Sequence, residues 1–150
     1  MKKRILFVCL GNICRSPAAE GIARKLIRER GLDYFTDSAG TGDWHTGEAP
    51  HSEMRRVATE RGFPIDDLRA RQVKSKDFFD FDVILAMDHQ NLRDLERLKK
   101  QARGTADVRL LCSDGTDIPD PYYGGADGFY RCFDMIREGV EEFLSEVVRE

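Results

Sequence analysis

No apolar run in this 150-residue chain approaches the roughly 20 residues needed to span a bilayer, which argues against a helical membrane protein. The chain has no internal repeat, no low-complexity tract and no linker, so repeat arrays and tethered domains drop out. Charge of one sign does not dominate either: 24 Lys and Arg stand against 27 Asp and Glu, a net charge of −3. The basic excess that draws a protein to nucleic acid or to an anionic membrane surface is missing, and neither partner is expected. The three histidines, His45, His51 and His89, show no ligand spacing with cysteines or acidic residues, so neither a metal nor another cofactor is expected.

The Met-Lys-Lys-Arg start has the look of a signal-peptide n-region. The apolar stretch behind it, however, is only about six residues and runs into a Gly-Asn turn, too short for an h-region. A cytoplasmic location is therefore expected, with the four cysteines present as thiols. The length suits one domain, 1–150, with a full core. No apolar surface stripe stands apart from the core-facing ones, so the oligomeric state is left open.

What is present is an alternation of apolar runs and helical periodicities. Residues 5–8, 35–39, 83–87 and 108–111 read as strands, the second of them weakly. Helices are predicted at 17–30, 52–61, 90–100 and about 125–148. In the last, Phe129, Phe133, Ile136, Val140, Phe143 and Val147 form a core-facing stripe. Strands alternating with helices imply an α/β fold: a four-stranded parallel sheet with helices on both faces. Ligands of such sheets bind beyond the C-terminal strand ends.

The first such end carries the most informative segment, Cys9-Leu10-Gly11-Asn12-Ile13-Cys14-Arg15-Ser16-Pro17. It joins a buried strand to a helix N-terminus, where unpaired N–H groups and a partial positive charge favour an anion and a thiolate. Cys9 is the candidate nucleophile. Gly11 allows a tight turn, and Asn12 tolerates a left-handed conformation. Arg15 can grip two phosphate oxygens through its planar fork. Ser16 is a candidate helix cap whose hydroxyl could also donate to the cysteine sulfur, and Pro17 suits the first helical position. Taken alone, a Cys-x5-Arg match also fits a mere helix-capping turn with two buried cysteines.

The segment resembles the phosphate-binding loop of the low-molecular-weight protein tyrosine phosphatases. Asp120-Pro121-Tyr122-Tyr123-Gly124 is similar to a second motif of that family. Between them, Asp37-Ser38-Ala39-Gly40-Thr41, Trp44, Ala70-Arg71-Gln72 and Met87-Asp88 continue the resemblance, which covers essentially the whole chain. It implies hydrolysis of phosphotyrosine in proteins through a phosphocysteine, with Cys9 as nucleophile, Arg15 as phosphate clamp and Asp120 as general acid and then base. The phosphate-binding loop would comprise Leu10, Gly11, Asn12, Ile13, Cys14 and Ser16. Asn12, Ser16 and Ser38 would form a hydrogen-bond network supporting the loop, Arg71 and Asp88 would pair to tie two loops, and Trp44, Tyr122 and Tyr123 would wall the pocket. Cys14 would be a redox partner of Cys9, a role that competes with simple packing. Relatives often place a histidine where this chain has Leu68, which is expected to leave the network a partner short or filled by water.

Three rival functions remain to be weighed. Thiol-dependent arsenate reductases share the Cys-x5-Arg loop, but rely on further cysteines in relay and need no Asp-Pro acid. Cys112 and Cys132 lack relay spacing and read as core or surface thiols. Protein arginine phosphatases carry a small polar residue where this chain has Ile13. A phosphate-binding or phosphocysteine carrier module would keep the loop and lose the acid. Asp114 and Asp117, like the basic stretches 55–61 and 69–76, are expected to be solvated.

Overall fold

Strands and helices follow one another along the described residues. They are β1 (Lys3–Cys9), α1 (Arg15–Arg30), β2 (Tyr34–Gly40), α2 (Ser52–Glu60), α3 (Asp77–Asp80), β3 (Val83–Ala86), α4 (His89–Ala102), β4 (Asp107–Leu110) and α5 (Ala126–Arg149). This computed structural model describes residues 3–121 and 125–149. The strands form a four-stranded, all-parallel sheet in the order β2-β1-β3-β4.

β1 is central and buried on both sides, which is why its sequence is an unbroken apolar run. Its residues alternate between two cores. Ile5, Phe7 and Cys9 face the larger one, built with α1, α2 and α5. Leu6 and Val8 face the smaller, with Phe78, Ile84 and Leu95 of α3, β3 and α4. The period-2 pleat thus puts Cys9, the last residue of β1, on the α1/α5 side. Phe129, Phe133, Ile136, Val140, Phe143 and Val147 of α5 are all buried in that larger core, as their spacing predicts.

Two local details differ from the sequence reading. α1 starts at Arg15, two residues early, so Ser16 and Pro17 lie within its first turn and Ser16 is not the cap. Pro17 is tolerated there because the first four helical N–H groups have no intrahelical partner. The short α3 has no sequence signal of its own. It is held by Asp77, whose carboxylate accepts from the Lys74 N–H at 2.9 Å and pairs with Arg71.

Candidate active site

Residues 10–14 leave the end of β1, turn, and enter α1. Asn12 sits at φ 56, the left-handed conformation expected of it. The loop is sewn to the next connection by backbone bonds: the N–H of Thr41 to the Cys9 carbonyl (2.9 Å), of Gly42 to Leu10 (2.9 Å) and of His51 to Ile13 (2.8 Å). Gly40 makes this approach possible. A Cβ there would stand 2.8 Å from the Leu10 carbonyl oxygen and 3.1 Å from the Gly11 carbonyl carbon, both backbone atoms that cannot swing aside. The N-cap residue Cys14 gives no side-chain bond to the first turn of α1, so the helix N-terminus remains available to an anion.

Cys9, only 3% exposed, lies at the floor of this loop. The Ser16 hydroxyl is 3.0 Å from its Sγ, and the Ser16 backbone N–H donates to it at 3.4 Å. Ser16 therefore serves the sulfur rather than the helix end. Arg15 is buried beside it. Its Nη1 donates to Asp88 at 2.7 Å and to the Ile118 carbonyl at 2.9 Å, while Nη2 lies 3.7 Å from Asp120. Burial alone pushes the Arg15 guanidinium down, but Cys9, Asp88 and Asp120 outweigh it and hold Arg15 above its ordinary value. The arginine is thus a fixed cation with one edge anchored.

The two other loop-support expectations need correction. Arg71 and Asp88 do not pair with each other. Asp88 follows β3, the immediate neighbour of β1, and so faces Arg15; it also caps α4 by accepting from the Asn91 N–H at 2.7 Å. Arg71 lies on the opposite flank, next to the bridge between Gly40 and Gln72, and its guanidinium holds Asp37 and the buried Asp77. Its backbone still supports the loop, donating to Asn12 Oδ1 at 2.9 Å. Arg56, Arg61 and Asp117 are exposed, as expected, and make surface contacts. Arg56 and Arg61 of the α2 region clasp Tyr130 and Asp134 of α5, and Asp117 accepts from the backbone and ring of His89.

The Asn12 network is not short of a partner. The Asn12 amide donates to Ser16 Oγ (2.7 Å) and Ser38 Oγ (3.0 Å), and the Ser38 hydroxyl donates to Glu20 Oε1 at 2.6 Å. Leu68 packs against the larger core instead. Glu20 had no sequence signal, since a glutamate one turn past a helix start reads as a solvated residue. It is 8% exposed, and burial pushes its carboxyl up to about 7.

Cys9, Ile13, Arg15, Trp44, His45 and Asp120 are among the residues lining one cavity of about 270 Å³. Trp44, 67% exposed, stands at its rim with its ring against Gly42. From sequence, His45 is weighed only as a metal ligand and is given no place in the pocket. Its ring edge lies over Gly11, with Nδ1 held by Glu48 at 2.8 Å. Tyr122 and Tyr123 lie outside the described residues. Among the described residues, no group of three or more His, Cys, Asp and Glu side chains is placed to hold a metal, and no helix is long and apolar enough to cross a membrane.

The family model for low molecular weight phosphotyrosine protein phosphatases matches residues 4–150. The chain belongs to this family. Similar members of the phosphatase family include the low molecular weight protein-tyrosine-phosphatase of Streptomyces coelicolor, 42% identical over 100% of this chain and 96% of that one. A solved structure of YfkJ from Bacillus subtilis is 39% identical, covers 99% of this chain and 96% of that one, and superposes with a TM-score of 0.91. An arginine phosphatase from drosophila is 35% identical, covers 95% and 96%, and has a TM-score of 0.89. The phosphatase fold is therefore shared with an enzyme named for a different phosphoamino acid, and the pocket walls must decide the substrate.

The remaining cysteines of this phosphatase chain are all free. Burial, with the negative charge of Cys9 and Asp120, pushes the Cys14 thiol far up, and burial pushes Cys132 up to about 12. Cys132 is a core residue of α5, and Cys112 is partly exposed beyond β4. Neither has the depressed pKa of a relay thiol.

Proposed function

We propose that the protein hydrolyses phosphotyrosine in proteins, with Cys9, Arg15 and Asp120 as its catalytic residues. The observation that carries this reading is one cavity in which a buried sulfur, an anchored guanidinium and a carboxyl 3.7 Å from it converge. The Cys9 thiolate attacks phosphorus, a new S–P bond forms, and the P–O bond to the phenol breaks. Arg15 and the α1 N-terminus stabilise the charge on the equatorial oxygens. Asp120 gives its proton to the departing phenolate oxygen. Water then attacks the phosphocysteine and loses its proton to Asp120; the S–P bond breaks, releasing inorganic phosphate. The Ser16 hydroxyl stabilises the sulfur anion at both ends of the cycle. Arginine and backbone amides supply the positive charge, so the reaction needs no metal.

Ile13, Leu10 and Trp44 favour a phenyl ring over the guanidinium of phosphoarginine, which would want polar partners. The carrier-module reading is disfavoured by Asp120, and the arsenate-reductase reading by the buried Cys132. The test is an assay with chelator and reductant present, on p-nitrophenyl phosphate, on phosphotyrosine, phosphoserine and phosphoarginine peptides, and on arsenate. Turnover of the phenyl ester and the phosphotyrosine peptide is expected. Activity confined to phosphoserine or phosphoarginine, or lost with chelator, would overturn the proposal. The four free cysteines support a cytoplasmic setting, and the whole chain acts as one catalytic domain.

Oxidation forms part of the same proposal. Peroxide converts Cys9 to a sulfenic acid, and Cys14 condenses with it to a disulfide with loss of water. Cys14→Ser is expected to keep most initial activity but to recover poorly with dithiothreitol after peroxide, as Cys9 proceeds to sulfinic acid. Peptide mass mapping checks it: oxidised wild type without a Cys9–Cys14 link would leave Cys14 as a packing residue only.

A further inference from the structure

Glu20 takes no part in the chemistry above, yet it is a buried carboxyl without an ion-pair partner among the described residues. The cation nearest in charge, Arg24 on its own helix, is committed to Asp67 at 2.6 and 2.8 Å. Asp37 of β2 and Asp67 of the 61–76 segment both push against a charge on Glu20. Asp77, the other deeply buried acid in this region, is by contrast neutralised by Arg71. A carboxyl kept in so unfavourable a place has one short contact, the Ser38 hydroxyl at 2.6 Å.

That contact ends a chain of hydrogen bonds that runs back through Asn12 and Ser16 to Cys9. The Arg71 N–H can only donate, so Asn12 must turn its oxygen toward it. Both Asn12 N–H bonds then point at hydroxyls, one at Ser16 and one at Ser38. Each hydroxyl must accept there, and each has a single proton left to place. Ser38 places its proton on Glu20. Ser16 has the Cys9 sulfur at 3.0 Å and the more distant Ala39 carbonyl at 3.4 Å. Without the Glu20 acceptor, the Ser38 hydroxyl has no partner that forces its lone pair toward Asn12. The amide then loses one of the two anchors that hold it against Ser16.

We propose that Glu20 is a positioning residue for the nucleophile: by taking the Ser38 proton it locks Asn12, and through Asn12 it holds the Ser16 hydroxyl on Cys9. The inference rests on the reading of Cys9 as the nucleophile. The role falls to Glu20 here because position 68 is an apolar leucine that packs into the core and contributes no polar atom to the network. An ionised Glu20 accepts from Ser38 at Oε1, and a neutral one does so with its proton on Oε2, so an amide oxygen at this position can take the same bond.

The test compares Glu20→Gln, which keeps an acceptor oxygen, with Glu20→Met, which keeps the volume and removes it. Glu20→Met is expected to lower kcat on p-nitrophenyl phosphate by about five- to tenfold, the size of one neutral hydrogen bond, with KM little changed. Iodoacetamide should label Cys9 more slowly by a similar factor at pH 6, located by peptide mass. Glu20→Gln should restore both to within about twofold. In a Ser38→Ala background Glu20→Met should add almost nothing, since both act through one chain. If Glu20→Met does not fold, Glu20→Asp, which draws the acceptor back by one methylene, takes its place. A role in stability alone would lower the melting temperature and leave kcat and labelling per folded molecule unchanged. That result, or Gln behaving like Met, or full additivity with Ser38→Ala, overturns the proposal. Wild-type protein inert toward phosphate esters would sink the phosphatase reading, while the labelling arm still decides the role of Glu20.

Discussion

Cys9→Ser is expected to abolish turnover and still bind phosphate or vanadate. The serine hydroxyl is a poor nucleophile at neutral pH, whereas the loop, the α1 N-terminus and Arg15 remain to hold the anion. Arg15→Lys is expected to be nearly inactive although its charge is kept. The geometry explains why. Nη1 of Arg15 is already spent on Asp88 and the Ile118 carbonyl, and Nη2, 3.7 Å from Asp120, is turned toward the cavity where substrate would bind. An ammonium has one head, and cannot anchor at Asp88 and grip two phosphate oxygens together. Steady-state kinetics with vanadate titration of each variant checks the pair. Appreciable turnover by either would remove that residue from its proposed role.

Asp120→Asn carries the second largest effect. For a leaving group as poor as tyrosine it should lower kcat by about 10²–10⁴, the usual size of a general-acid contribution. An activated ester should suffer less in the first step, because its phenolate departs unaided. The basic limb of the pH profile should flatten in the variant while the acidic limb, which reports thiol or substrate ionisation, persists. Asp117 is the alternative acid by sequence proximity, but it is a weak one. Its hydrogen bonds from His89 hold it below the usual carboxylate range, and it is spent on that contact. An unchanged rate and profile in Asp120→Asn would nevertheless return the role to Asp117.

The parts of this site that were legible in the sequence are those fixed by local chemistry. The apolar run of β1, the left-handed Asn12 and the stripe of α5 each follow from a few adjacent residues. What was not legible depends on which strands are neighbours. Asp88 meets Arg15 rather than Arg71 because β3 lies beside β1, whereas Arg71 lies beyond β2. Of the two roles the sequence allows Ser16, cap or donor to the cysteine sulfur, only the fold selects the second. Gly40 reads as one glycine of a loop, and only the passage of the Leu10–Asn12 backbone over it shows why a side chain has no room. His45 was considered as a metal ligand and set aside, and its place over Gly11 is a matter of how residues 41–51 fold back.

The buried Glu20 also makes folding a proton-uptake reaction. In the unfolded chain its carboxyl ionises near the ordinary 4.5; in the native protein it keeps its proton up to about 7. Between those limits the native state carries a proton that the unfolded chain has shed. Stability therefore falls as pH rises from about 4.5 to about 7 and levels off above, by a total of about 3 kcal/mol from this group. Unfolding at pH 6 should release close to one proton more from the wild type than from Glu20→Gln. Calorimetric melts in buffers of different ionisation heat measure that difference directly. Glu20→Gln should gain most over wild type at pH 8 and little at pH 4. Equal proton release by the two proteins would mean that Glu20 is already ionised in the fold.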